Sequence, residues 1–370
     1  MNYDEHLCAV ALSLCPGVGA VSARRLVEAA GSAADVFRRR TELAGAIPGL
    51  RAGVLQSLDS PATLAAAERE LEFARRHGIS CFSLADEAYP YRLKECPDAP
   101  VVLFWRGNAD LNCRRVVALV GTRRATDYGK QFCAAFVAEL ARLCPGTLVV
   151  SGLAYGIDIS AHRAALVGGL STVGVLAHGL DRIYPSAHRK TAAEMLSAGG
   201  LITEFTTGTE PDRYNFVSRN RIIAGLSDAV VVVESAARGG ALITADLATD
   251  YNRQCFALPG RVGDLASEGC NRLIAGHKAQ LLTGATDLVA AMNWDVQPAK
   301  GQPVQRGLFD ELSADETAVV RLLSRRGDLH INTLVVETDI PVQRMSALLF
   351  EMEMKGLVKA LVGGAYHLLG

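Results

Sequence analysis

Between about residues 80 and 292, short apolar runs alternate with segments whose apolar residues recur at helical spacing. The runs are rich in β-branched residues and lack polar residues at alternate positions; they span 116–120, 148–150, 172–176 and 229–233, with shorter ones at 255–259 and 280–282. Strands that are buried on both faces have this pattern, which is typical of a parallel sheet covered by helices. The intervening helices provide right-handed crossovers, so the pattern predicts a doubly wound α/β domain.

The segments on either side of this domain have helical patterns. Before it, Leu14–Gly19 followed by Ser22–Val27 has the form of a helix-hairpin-helix, and residues 61–78 are predicted to form one amphipathic helix. After it, three predicted helices and a terminal hairpin around Gly363–Gly364 describe a winged helix. The predicted parts are a helical (helix-hairpin-helix or SAM-like) domain, a Rossmann-like domain, a linker and a winged helix, at 1–78, 79–293, 294–312 and 313–370.

Composition narrows the class of protein. Of the 370 residues, 49% are hydrophobic and 21% charged, and 38 Lys plus Arg balance 39 Asp plus Glu. That balance argues against a strongly basic protein that wraps DNA, but it allows a local basic groove. The nine cysteines form no C-x-x-C pair, and no apolar run reaches the length of a membrane span. We therefore expect a cytoplasmic protein with reduced thiols, no zinc site and no membrane contact.

Three segments rich in small and polar residues are expected at the carboxyl ends of the strands, where open parallel sheets bind ligands. They are Gly121–Arg124, Ser151–Asp158 and Ser218–Arg221, the last predicted at the start of a helix. Glycines let a backbone approach an anion, and arginines add forked donors that suit phosphate oxygens. The predicted phosphate-binding residues are Gly121, Thr122, Arg123, Ser151, Gly152, Tyr155, Gly156, Arg219, Asn220 and Arg221.

The type of phosphate follows from the motifs that are missing. The sequence contains neither Gly-x-Gly-x-x-Gly nor the P-loop pattern, so a dinucleotide or nucleoside triphosphate cofactor is not expected. Arginine-bearing loops without a base or ribose reader fit a polymeric backbone better than a free nucleotide. Asp158 and His162 share a helix face, and we expect them to order the loop, because no third metal ligand lies nearby. Glu204 and Glu234 end strands and are expected to anchor arginines or loops.

Several motifs together resemble the DNA-processing protein A (DprA, or Smf) family. They are Asp86-x-x-Tyr89-Pro90-x-x-Leu93, Val120–Arg123, Ser151-Gly152-Leu153-Ala154-x-Gly156-Ile157-Asp158 and Arg219–Ser227. The resemblance implies a protein that receives incoming single-stranded DNA during natural transformation and helps to load the RecA recombinase. It also implies a homodimer, for which Leu273 and Ile274 are candidate contacts, although burial within the monomer explains both residues equally well. Tyr155 departs from the family, which often has Lys or Arg there, and offers a ring for base stacking instead.

Three functions follow as hypotheses. The first is a non-catalytic, sequence-independent binder of single-stranded DNA that loads RecA. The second is a Rossmann-type nucleotide-processing enzyme that uses Asp158, His162 or Glu234. The third is a regulatory adaptor that acts through the winged helix, whose last helix carries Glu351 and Glu353 besides its basic residues and is expected to contact protein rather than a DNA groove.

Overall fold

The computed structural model describes residues 4–43, 54, 58, 60–295, 312–361 and 364–369. Residues 1–299 form one compact unit and residues 300–370 a second. The N-terminal helices predicted as a separate domain therefore belong to the same unit as the sheet. Most of the predicted linker, 294–312, lies outside the described residues.

Nine strands form the sheet of the first unit, in the order β1-β2-β6-β5-β4-β3-β7-β8-β9. In chain order they are β1 (Ser80–Ser83), β2 (Val102–Gly107), β3 (Val116–Gly121), β4 (Leu148–Ser151), β5 (Thr172–Val175), β6 (Gly199–Thr203), β7 (Ala229–Glu234), β8 (Gln254–Ala257) and β9 (Gln280–Leu281). Strands β3 to β9 are parallel, and their β-branched runs are buried as predicted.

The predicted doubly wound parallel sheet is confirmed, with an antiparallel edge that the sequence analysis did not predict. β2 pairs antiparallel with both β1 and β6, and none of these three strands was predicted. β6 begins with Gly199 and Gly200, residues that seldom indicate a strand. Both are required by packing, because a Cβ on Gly200 would lie 2.2 Å from the Trp105 ring of β2 and a Cβ on Gly199 would lie 1.9 Å from the Thr172 carbonyl oxygen of β5. The pattern of β6 thus reflects a neighbouring strand and not its own propensity.

Helices cover both faces of this sheet. They are α1 (Glu5–Leu14), α2 (Ala20–Ala30), α3 (Ala33–Arg38), α4 (Arg40–Leu43), α5 (Pro61–Arg76), α6 (Tyr91–Lys94), α7 (Asp127–Leu143), α8 (Ile157–Gly168), α9 (Arg189–Met195), α10 (Arg213–Leu226), α11 (Gly240–Asp250), α12 (Glu268–Ala275) and α13 (Ala285–Ala291). The amphipathic helix predicted at 61–78 is α5. α1 and α2 form the predicted hairpin, and the N-terminal helices share a core with Val101, Val102 and Phe104.

The second unit has the predicted winged-helix arrangement. Its elements are α14 (Ala314–Arg326), β10 (Leu329–His330), α15 (Ile331–Thr338), α16 (Val342–Met354), β11 (Val358–Ala360) and β12 (Ala365–Leu368), with a three-stranded antiparallel sheet in the order β10-β12-β11. A capping box between Ser313 and Glu316 begins α14. The predicted hairpin turn includes Gly363, which lies outside the described residues.

No helix in the described part of the chain has the length and apolarity needed to span a membrane.

Candidate functional site

Two of the predicted loops pack against each other at the carboxyl edge of the sheet. The loop after β3 starts at Gly121, and the loop after β4 ends at Gly156, which caps α8 with φ +80°. The Ile157 N–H donates to the Thr122 carbonyl (3.2 Å). A Cβ at Gly156 would lie 2.1 Å from that same carbonyl oxygen, so only glycine lets the loops approach this closely.

The third segment does not begin a helix, and that prediction is wrong. α10 begins five residues before Ser218, at Arg213, and is capped by Asp212, whose carboxylate accepts from the Asn215 N–H (2.8 Å). Residues 218–221 therefore lie in the middle of a helix and point in different directions. Aspartate is a preferred N-cap residue, so Asp212 was the sequence signal for the true start.

Arg219 lies beneath the loop after β4, which contains Gly152 and Gly156, and does not face solvent. Its side chain is 3% exposed, and its Nη1 donates to the carbonyls of Gly152 and Val175. A Cβ at Gly152 would lie 2.3 Å from this Nη1, so the glycine makes room for the guanidinium. Burial lowers the pKa of Arg219 to about 10, while Asp158 raises it. Arg219 braces the loop from within, and Nη1 is not free for a phosphate.

Arg221 points to another side of α10. It is buried, and its guanidinium donates to the Glu204 carboxylate and to the Asp98 carbonyl. Burial raises the pKa of Glu204, and the Arg221 charge opposes that shift. The anchoring role expected of Glu204 is confirmed, but the structure does not bring Arg221 to the other predicted residues.

A cleft of about 640 Å³ opens between the loop after β3 and α10. Five of the predicted residues line it: Gly121, Thr122, Arg123, Arg219 and Asn220. Arg123 is exposed, and its guanidinium carbon lies 4.6 Å from the centre of the Phe216 ring.

The cleft also contains residues that the sequence analysis missed, namely Arg213, Phe216 and Arg238. Arg213, Phe216 and Asn220 recur at helical spacing on one face of α10. With the helix start placed at Asp212, that spacing was the signal that could have found them. Arg213 and Arg238 are exposed, so the cleft carries more free cationic groups than the sequence analysis assigned to it.

The remaining predicted residues belong to the segment from the end of β4 to the start of α8 and do not line the cleft. Ser151 is buried, and its Oγ donates to the Leu119 carbonyl (2.6 Å). Gly152 and Gly156 contribute backbone. Tyr155 is 49% exposed, but its ring meets His188 edge to face at 4.8 Å and does not line the cleft.

The groups named for catalysis all support the fold. Buried Asp158 accepts from the Ala154 N–H (3.3 Å), which confirms its role in ordering the loop, and burial raises its pKa. His162 bonds instead to the Thr172 hydroxyl on β5 (2.7 Å), and burial lowers the pKa of His162 to about 3, which leaves it neutral. Buried Glu234 accepts from the Thr126 N–H (2.9 Å) and hydroxyl.

The two candidate dimer contacts differ in exposure. Leu273 is 6% exposed and belongs to the hydrophobic core of the first unit, which favours burial within the monomer as the explanation for this residue. Ile274 is half-buried against the same core and stays a prediction.

Comparison with known proteins bears on both units. The model of the DNA recombination-mediator protein A family matches residues 80–293, and that of the DprA winged helix domain matches residues 308–364. The chain belongs to the DNA recombination-mediator protein A (DprA) family. The resemblance noted from the motifs is thereby confirmed, as is the Rossmann-like fold with a winged helix.

Individual DprA proteins are similar over most of the chain. A putative DNA processing protein DprA of Mycobacterium tuberculosis is 36% identical over 306 residues, which cover 79% of this chain and 78% of the relative. The DprA structure from Streptococcus pneumoniae (TM-score 0.62, 31% identity) covers 78% of this chain and 97% of its own. That from Helicobacter pylori (TM-score 0.53, 30% identity) covers 59% and 97%, and is described as having a unique single-stranded DNA binding mode.

Proposed function

We propose that this protein binds single-stranded DNA by its phosphates, without sequence preference and without catalysing a reaction. The observation that carries the proposal is the cleft in which exposed Arg123, Arg213 and Arg238 lie near Gly121 at the end of β3. Arginine guanidinium groups donate forked, charge-assisted hydrogen bonds to phosphate oxygens. The single-stranded DNA binding described for the Helicobacter pylori relative supports the same ligand.

The residues under the cleft explain how its surface is held in place. Arg219 ties Gly152 to Val175, and Glu234 ties the loop after β3 through Thr126. Because these contacts exist in the free protein, the phosphate-binding surface is organised before DNA arrives, which reduces the entropy cost of binding. We therefore assign phosphate contact to the exposed arginines and positioning to Arg219.

Fluorescence anisotropy with labelled oligo-dT at several salt concentrations tests the proposal. The cleft variant is Arg123→Ala/Arg238→Ala, and the control is Arg75→Ala/Arg142→Ala, which removes two exposed arginines that do not line the cleft. We expect the cleft variant to bind more weakly and its log–log salt slope to fall by about 0.7 for each phosphate that the variant no longer neutralises. Wild-type protein that ignores the oligonucleotide, or equally weakened binding in both variants, would mean that the cleft is not the binding surface.

We further propose that the bound strand is passed to the RecA recombinase and that the protein acts as a homodimer. The description of the matching family as a recombination mediator supports the first statement, and the dimer is implied by the resemblance of the motifs. The transfer to RecA is tested by RecA-dependent ATP hydrolysis on strands coated with single-strand binding protein. We expect wild type, but not the cleft variant, to shorten the lag before hydrolysis. An unchanged lag with wild type contradicts the proposed transfer. Sedimentation equilibrium is expected to give twice the chain mass, and a monomer mass contradicts the dimer.

A further inference from the structure

The winged-helix helix α16 has apolar residues on two sides. One side packs in the core of the second unit and consists of Met345, Leu348, Leu349 and Met352. On the other side, Ala347, Phe350 and Met354 are exposed, with exposed fractions of 65% for Phe350 and 75% for Met354. Their spacing places them in one row along the helix, which we call the exposed stripe. A helix that only closes a core needs a single apolar face, so the fold of this unit does not account for the stripe.

The basic side chains at α16 are neutralised by α14. Arg344 forms an ion pair with Asp315, and Nζ of Lys355, directly after α16, lies 2.9 Å from the Glu316 carboxylate. The Ser313 N–H and the Lys355 ammonium lower the pKa of Glu316, so this buried carboxylate is charged at neutral pH. Both positive charges therefore have a negative partner within the unit.

The acidic side chains of α16 lie beside the stripe without such compensation. Glu351 and Glu353 are exposed, and at about 100° per residue they flank Met354 on opposite sides. Glu353 accepts from the Ala360 N–H (3.0 Å), an interaction that leaves its charge in place, and within the described part of the winged helix neither carboxylate pairs with a basic side chain. The negative end of the helix dipole lies at the same turn. The stripe is therefore an apolar surface with a negative rim.

We propose that the exposed stripe binds a partner protein, other than this chain, that presents apolar side chains flanked by lysine or arginine, as on a basic amphipathic helix. Apolar anchors at positions i, i+3 and i+7 are typical of helix-mediated docking, and a positive rim complements Glu351 and Glu353. A DNA groove is disfavoured because phosphates repel these carboxylates. A second copy is disfavoured because it would bring like charges together, with Arg344 and Lys355 already paired. The inference goes beyond the proposed function and does not depend on the cleft.

Two labelled synthetic helices of about 18 residues test the charge and the apolar contact separately. Both have the same leucine face, and the remaining positions are lysine in one helix and glutamate in the other. With full-length protein, we expect anisotropy to show that the lysine helix binds about tenfold more tightly, as two or three exposed ion pairs would give. Phe350→Ser/Met354→Ser should weaken its binding about tenfold through loss of apolar contact, and Glu351→Gln should reduce its salt dependence. Oligo-dT binding should stay unchanged in both variants, because the cleft lies in the first unit.

The control is Val336→Ser, which removes an apolar side chain of α15 that is 79% exposed and lies outside the stripe. It should bind the lysine helix as wild type does, and circular dichroism checks that each variant is folded. Equal binding of the two helices by wild type, binding of neither, or full binding by the double variant overturns the proposal. Sedimentation equilibrium tests the other occupant. If the double variant has a lower mass than wild type, a second copy covers the stripe and the partner proposal is wrong.

Discussion

Single glycines allow the close approach of the two loops at the carboxyl edge. Gly156 has φ +80° and ψ −121°, a conformation that other residues rarely adopt, and its missing Cβ leaves room for the Thr122 carbonyl. Gly146 also has φ +80°, but a Cβ there would meet nothing within 4 Å. A side chain would therefore strain the backbone at both positions. Only at Gly156 would its Cβ also clash with another part of the chain.

Gly156→Ala is expected to lower the free energy of unfolding by about 2–5 kcal/mol, from backbone strain plus overpacking, and to weaken DNA binding. Gly146→Ala, the control, should cost only about 1–2 kcal/mol and leave binding unchanged. Urea denaturation and anisotropy measure both quantities. Similar losses of stability in the two variants would show that loop contact is not what Gly156 provides.

The arginines predicted for the site have different roles, and these roles could not be distinguished from the neighbouring residues in the sequence. Arg123, Arg219 and Arg221 were all predicted to contact phosphate. Of these three, only Arg123 is an exposed donor in the cleft, because the guanidinium groups of the other two are bonded to carbonyls and a carboxylate far away in sequence. Burial of an arginine depends on those distant partners and has no local signal.

At the level of elements, Glu234, the last residue of β7, anchors the loop that follows the neighbouring strand β3. Glu234 accepts from the N–H and hydroxyl of Thr126 through its carboxylate, and its backbone carbonyl accepts from the Thr122 N–H (2.8 Å). The loop between β3 and α7, which carries Arg123, is thereby tied at both ends. The anchoring role expected of Glu234 is confirmed.

Replacement of Glu234 separates positioning from charge. Removing a negative charge near a phosphate site would by itself strengthen DNA binding. We expect the opposite order of affinity, with wild type above Glu234→Gln and Glu234→Ala lowest, because the loop loses its acceptors. Anisotropy with oligo-dT measures the order, and circular dichroism checks the fold. Tighter binding by Glu234→Ala would mean that the carboxylate acts only through its charge.

Elements with a uniform apolar pattern were predicted well, and those shaped by neighbours were not. β3, β4, β5 and β7 are apolar except for a residue at one end, Ser151, Thr172 or Glu234 in the last three, because helices cover both of their faces. β6 escaped prediction because it begins with two glycines, of which Gly200 lies against the Trp105 ring of β2 and Gly199 against the Thr172 backbone of β5. The start of α10 was misplaced by five residues, which hid the cleft face of that helix.

At the scale of the whole molecule, the cleft belongs entirely to the first unit. All of its lining residues lie between Val120 and Thr244. A chain ending at residue 299 is therefore expected to bind oligo-dT with the affinity and salt slope of the full-length protein. The alternative outcome is that removal of residues 300–370 abolishes binding while circular dichroism shows that the first unit is folded. That result would contradict the proposal that the cleft binds DNA. It would support the adaptor hypothesis, in which the winged helix carries the interaction.

The parallel strands, the glycine-rich loops at their ends, the winged helix and the family could all be predicted, because each is encoded in a local pattern of residue types. The folded molecule adds the antiparallel edge of the sheet, the burial of Arg219 and Arg221, and the cleft that brings Arg123 near Arg213 and Arg238. Each of these depends on contacts between distant parts of the chain; Arg219 and Gly152, for example, are separated by 67 positions. A local pattern indicates which positions of a helix or strand are buried. Which residues of other elements they contact is decided by how the elements pack.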